Sequence, residues 1–320
     1  MKKLLCVLLA VAFLFSLAAC GGSETPPEDV TEGTTAAPTV DMIIKQAQLQ
    51  YPSSNDLFKY NVYDTYVAIS EYIGPASKEK LTVPGTLEGL PVYVIERGTF
   101  KTGCKVKSIV FEEGIHDIKC ELNTVLPLTS VTLPSTVETV KDIFKNCYKL
   151  ETVIVPEGVE MLLLNTFEHC KALKTIALPS TLKVIGSNAF AFCTSLESVT
   201  IAKGLTKIND RAFVGCKALK TLKLPATLEY IGADAFLDSG LVSLEIPESV
   251  KSIGSGLFSG CNKITTVKVH NADMEIEPVS GYSVAILFSN CNPKLVVHGK
   301  PASTIAKQCA QEKISFKVMQ

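Results

Sequence analysis

One spacing constrains this chain more than any other feature: Phe144, Phe167, Phe190, Phe213 and Phe236 follow one another at 23-residue steps, and Phe258 comes after 22. Cys147, Cys170, Cys193 and Cys216 keep the same step, each three residues after its phenylalanine, and Cys261 holds that offset after Phe258. Leu150, Leu173, Leu196 and Leu219 lie three further on, with Leu241 and Ile264 extending the series. A proline column runs through Pro134, Pro156, Pro179, Pro225 and Pro247, with Ala202 in its place in the middle unit. Columns in register at such a period are the mark of a repeat architecture, in which one short unit cannot bury its apolar face alone and stacks on its neighbours.

A single unit shows how. In Leu196-Glu-Ser-Val199-Thr-Ile201 the apolar and polar residues alternate as in a half-buried strand. The following proline position ends the strand, because proline has no N–H for a ladder. The return segment Ser180 to Phe190 turns Leu182, Ile185 and Phe190 inward around a bend at Gly186. The expected fold is a solenoid with one parallel strand per 22- or 23-residue turn.

The pattern Leu-x-x-Ile/Val-x-Ile/Leu-Pro, then a turn, Ile-Gly, Ala-Phe, Cys and Leu resembles the BspA-like leucine-rich-repeat proteins of bacterial surfaces, over about residues 58 to 318. The resemblance implies a right-handed leucine-rich-repeat superhelix: an opening repeat at 58–105, repeats at 106–299, and a closing helix and strand at 300–318. The stretch Asp64 to Gly74, followed by Val83-Pro84 and Gly89 to Val92, is similar to the family's opening repeat, and Ser303 to Phe316 to its cap. Two departures stand out. Leu122 and Val125 occupy places where Phe and Cys belong, and residues 270–284 are inserted between regular turns.

The amino terminus reads as an address. Lys2 and Lys3 precede an apolar stretch, Leu4 to Ala19, that is shorter than the roughly 20 residues a spanning helix needs. It ends in Leu17-Ala18-Ala19-Cys20, which resembles a lipoprotein lipobox; residues 1–19 would then be a signal peptide and Cys20 the lipidated first residue of the mature chain. A plain secretory signal is the alternative. Residues 20–57 are assigned to a tether, on the strength of a Gly/Ser/Thr/Pro-rich start carrying Glu24, Asp29 and Glu32. Within it, Asp41 to Tyr51 reads either as a short amphipathic helix or as more tether.

Composition excludes several functions. Lysine plus arginine (31) nearly balances aspartate plus glutamate (32), so no surface for a polyanion such as nucleic acid is indicated. No H-E-x-x-H, G-x-S-x-G or phosphate loop is present, and the expectation is a chain that is not an enzyme and uses no cofactor or metal. A distant alternative is a hydrolase using Asp273, Glu275 and Glu277 in the insert. The column cysteines sit between inward Phe and Leu residues and are expected as buried free thiols, because strands stack about 4.8 Å apart whereas a disulfide wants Cβ atoms nearer about 3.8 Å. His169, beside Cys170, reads as a turn residue rather than a ligand.

The outward strand positions form two columns. Ser108, Ser130, Thr152, Thr175, Ser198, Thr221, Ser243 and Thr266 make an unbroken hydroxyl row, expected as a polar ladder. Beside it run Val110, Thr132, Ile154, Ala177, Thr200, Lys223, Glu245 and Lys268, a varied column and the candidate binding face. Family resemblance implies adhesion to extracellular or cell-surface proteins, host matrix proteins among them, by a lipid-anchored protein outside the cytoplasm. An envelope scaffold or glycan-binding module is the rival.

Overall fold

The computed structural model describes residues 46–122, 126–201, 203–278 and 285–319. The signal segment, Cys20, Val125 and Ala202 lie outside the described residues. From Lys80 onward the chain winds as a β-solenoid. Its broad face is a stack of parallel strands in three pieces. The first holds Lys80–Val83, Ser108–Phe111, Ser130–Thr132 and Thr152–Ile154; the second Thr175–Ala177 and Ser198–Thr200; the third Ser243–Ile246, Thr266–Val269, Val296–Gly299 and Ser315–Val318.

Each turn adds a second strand beyond the one expected from the sequence. Thr139–Val140, Met161–Leu162, Val184–Ile185, Lys207–Ile208, Tyr230–Ile231, Ser252–Gly254 and Glu275–Glu277 form one continuous parallel sheet of seven. Its inward column pairs Val140, Leu162, Ile185, Ile208, Ile231, Ile253 and Ile276 in register. Most of these strands are two residues long, too short for an alternating pattern to announce them. The bend after Ile185 brings backbones into contact: a Cβ at Gly186 would lie 2.5 Å from the Leu162 carbonyl oxygen, so only glycine fits.

Between the sheets run the phenylalanines. Consecutive rings from Phe144 to Phe258 stack with centroids 5.2 to 6.2 Å apart and planes within 18°. Phe288 continues the file at 5.6 Å, although the insert sets it 30 residues beyond Phe258 in sequence. All six periodic phenylalanines are fully buried, and Leu122 is buried as they are. A phenylalanine N–H donates to the next turn's backbone, as in Phe190 to Ala212 at 2.8 Å and Phe213 to Ala235 at 2.8 Å.

Part of the insert is regular structure. Glu275–Glu277 pairs with Ser252–Gly254, which places Ile276 against the core and leaves Glu275 and Glu277 pointing outward. The unexplained length shrinks to residues 279–284, which lie outside the described residues.

Both ends are closed. Leu49–Ser54, Phe58–Tyr63 and Val67–Tyr72 form an antiparallel meander whose third strand pairs in parallel with Leu90–Ile95. The folded body therefore reaches back into the stretch read as tether to residue 57, and Leu49 to Tyr51, assigned to helix or tether, belong to a strand. It was hard to read because this edge strand is almost wholly exposed and has no buried face to impose alternation. Glu88 holds it, accepting hydrogen bonds from Tyr51 Oη (2.7 Å) and Ser53 Oγ (2.9 Å).

At the other end the helix Thr304–Glu312 starts at Ser303, whose hydroxyl accepts from the Ala306 N–H, and stops at Lys313 in the left-handed region. Ile305 and Cys309 are buried beneath it. The Glu312 carboxylate accepts from the N–H groups of Leu287 (2.7 Å) and Phe288 (2.8 Å), supplying what the next turn's carbonyl supplies elsewhere. Truncation after Lys300 is expected to strip that acceptor and uncover the last apolar turn, giving concentration-dependent association in sedimentation velocity; a monomeric truncated chain would contradict this role for the cap.

Candidate binding face

The pairing register places the two outward columns as neighbouring rows on the broad sheet. Ser108, Ser130 and Thr152 align, as do Thr175 with Ser198 and Ser243 with Thr266. The row is not the continuous hydrogen-bonded ladder its composition suggests. Among the described residues a single pair within it bonds, Ser130 Oγ to Ser108 Oγ at 2.9 Å. Short hydroxyls a strand spacing apart meet only when both rotamers turn toward each other. Hydroxyls outside this row tie turn to turn: Thr136, Thr181, Thr227 and Ser249, in one column, each donate to a carbonyl of the preceding turn at 2.6 to 3.0 Å, and Thr129, Thr206 and Thr265 do so at 3.1 to 3.3 Å.

The varied column is in register as well: Val110 with Thr132, Thr132 with Ile154, Ala177 with Thr200, and Glu245 with Lys268. It divides by chemistry. Toward the N-terminus it is apolar, with Val110 40% and Ile154 62% exposed, Thr132 half-buried and Ala177 open. Beyond Thr200 it is charged. Lys223 lies outside any assigned strand, yet it is exposed between buried Leu222 and Leu224, so the alternation holds there. Register then extends the row from Lys268 to His298 and Lys317, two members the sequence spacing hides because the insert and the cap interrupt the period.

Glu245 and Lys268 do not present free charges alike. Glu245 Oε1 lies 2.6 Å from His270 Nε2, whereas Lys268 makes no ion pair among the described residues. A shallow hollow of about 430 Å³ opens here, lined by Leu222, Lys223, Leu224, Glu245, Pro247, Glu248 and His270. An apolar strip followed by a charged strip along the broad face suits recognition of a macromolecular surface.

The cysteine column lies inside. All nine cysteines of the described residues are free. Cys170, Cys193, Cys216 and Cys261 each donate to the carbonyl of a phenylalanine in the preceding turn, for example Cys193 Sγ to Phe167 O at 3.1 Å. Ser239 takes the column position after Phe236 and meets Cys261 Sγ at 3.3 Å, and Cys291 resumes the column after Phe288. Burial pushes the Cys147 thiol up to about 12 and those of Cys170 and Cys193 well above the ordinary thiol value. Such thiols carry no nucleophilic or ligand chemistry near neutral pH.

His169 is half-buried in the turn, at φ 61°, with its ring stacked on Phe192 at 4.8 Å. Of the insert's acidic residues, Glu275 and Glu277 share the outward side of their strand, on either side of the inward Ile276.

The BspA type leucine rich repeat region matches the sequence in six copies, over residues 93–220 and 183–315. This chain belongs to that family. As a BspA-type repeat protein it shares its fold with a leucine-rich repeat protein from Bacteroides ovatus, 22% identical, covering 84% of this chain and 77% of that one at a TM-score of 0.59. It is similar also to a leucine rich cell surface protein from Faecalibacterium prausnitzii, 18% identical, with 85% and 96% covered at a TM-score of 0.53. No curated protein matches the chain. BspA-type membership suggests a protein-binding scaffold at the cell surface. No helix among the described residues is long and apolar enough to cross a membrane.

Proposed function

We propose that this BspA-type protein is a lipoprotein, attached through Cys20, that adheres to proteins of the host or of neighbouring cells by the varied column of its broad sheet. The observation that supports this most is the outward row of the broad sheet, in register within each of its three pieces: apolar toward Val110 and Ile154, which is 62% exposed, and charged at Glu245 and Lys268. Solenoid sheets hold such residues a strand spacing apart without further ordering on binding, which lowers the entropy lost in association.

The test uses the full chain against a panel of immobilised matrix proteins and glycans. A variant with Lys223→Glu, Glu245→Lys and Lys268→Glu combined is expected to lose about tenfold or more in affinity for the protein ligands, while its melting is unchanged. Undiminished binding would exclude this part of the face, and preferential retention of glycans would favour the envelope-module reading. In the same preparation, Cys20→Ala is expected to abolish membrane partitioning; a variant still bound to membranes would overturn the anchor.

A further inference from the structure

Two residues after each phenylalanine of the file, the backbone passes through the left-handed region. Asn146, Gly215, Asp238, Gly260 and Asn290 occupy that place, all of them types that enter it readily. His169 (φ 61°) and Phe192 (φ 58°) bring rings to that place; histidine enters the region more readily than most residues, whereas a phenylalanine there is strained. The interior file is complete without these rings, and five other turns close with small residues.

Their arrangement is ordered. The imidazole and phenyl planes lie within 11° of parallel at 4.8 Å, and Phe192 in turn covers Gly215, where an added Cβ would come within 2.6 Å of its ring. Tyr148 follows at 6.5 Å from His169, with the Lys171 ammonium 5.2 Å from its ring centre. Tyr148 is 49% and Phe192 37% exposed. The stacked His169 and Phe192 face each other, so the solvent meets mainly ring edges, the positive side of the aromatic quadrupole. Lys149 and Lys171 are exposed and form no ion pair among the described residues, while the one carboxylate at the ridge, Glu168, lies 3.7 Å from His169 Nε2 and is engaged by Lys145 at 2.8 Å, which leaves the lysines in excess. The ridge is therefore both apolar and electropositive. Sugars favour open ring faces, and here those of the central rings are taken; carboxylates set among apolar side chains match edges and ammonium groups together.

We propose that the ridge Tyr148–His169–Phe192, flanked by Lys149 and Lys171, is a second docking site, distinct from the sheet face, that takes an acidic amphipathic segment of a partner protein.

The experiment measures fluorescence anisotropy of a labelled twelve-residue peptide of alternating glutamate and leucine titrated with the full chain. His169→Asn with Phe192→Asn installs the residue that Asn146 and Asn290 already supply at that place, so the fold is kept, and Lys149→Glu with Lys171→Glu removes the cations without replacing a ring. Each pair is expected to weaken binding about tenfold or more, with circular dichroism unchanged. The sheet variant reversed at Lys223, Glu245 and Lys268 is expected to bind the peptide as the unaltered chain does, which separates this site from the other. Failure of the unaltered chain to bind, undiminished binding by either ridge variant, or equal binding of polygalacturonate with the same dependence on the ridge would each overturn the proposal.

Discussion

Phe190→Ala is expected to lower folding stability by about 3–5 kcal/mol, the range for emptying a fully buried phenylalanine site that cannot collapse. The surroundings argue for the full effect. Phe190 is wholly inaccessible and lies 5.3 Å from Phe167 on one side and 5.3 Å from Phe213 on the other, so its removal leaves two ring faces without a partner. Neither neighbour can close the gap, because each is held by a backbone N–H bond to the following turn. Lys223→Ala, at an exposed outward position, is expected within about 0.5 kcal/mol of the parent. Urea titration of both variants decides the matter; a loss below about 1 kcal/mol at Phe190 would mean that the file contributes little to cohesion.

The second large effect is alkaline. Burial raises the thiol of Cys147 to about 12, and those of Cys170, Cys193 and Cys216 well above the ordinary thiol value. An unfolded thiol titrates near about 8.5. Between these values the unfolded chain gives up protons that the folded chain keeps. The thiols' contribution to stability is thus fully present below about pH 8.5 and lost as pH rises through the window toward about 12, at about 1.4 kcal/mol per pH unit for each buried thiol. Urea midpoints measured under reducing conditions from pH 7.5 to 10 are expected to fall steeply. Replacing Cys170, Cys193 and Cys216 with serine is expected to flatten that slope by about 4 kcal/mol per unit. The column already accepts a hydroxyl at Ser239. Parallel slopes in parent and variant would refute the linkage.

Much of the interior was legible without coordinates, for a reason visible in Phe190 and Cys193. Each is one copy of a residue type recurring at a fixed step, and a step that repeats forces equivalent copies into equivalent places. The closing helix and strand were also legible, through family resemblance, but other features that occur once were not. The strand Leu49–Ser54 buries almost nothing and so leaves no pattern, and the carboxylate of Glu312 caps the last turn from a helix whose sequence does not announce that contact. Phe288 and Cys291 repeat the offset of the earlier columns, but the insert conceals their period.

The candidate surfaces divide the same way. Thr132, Ile154, Thr200, Lys223, Glu245 and Lys268 could be read as one outward row because strand alternation assigns a side to every residue. Only the pairing showed that the row continues to His298 and Lys317, that Glu245 is tied to His270, and that the hydroxyl row beside it is mostly unbonded.

By itself, then, the sequence determined the repeat, its buried file of rings and thiols, and which side of each strand faces out, because all of these follow from periods within one chain segment. Tertiary structure alone decided the exposed opening strand Leu49–Ser54, the Glu312 contact beneath the closing helix, the second ladder of short strands, and the meeting of Tyr148, His169 and Phe192. Those depend on contacts between turns some 23 residues apart, whose distances no local pattern encodes.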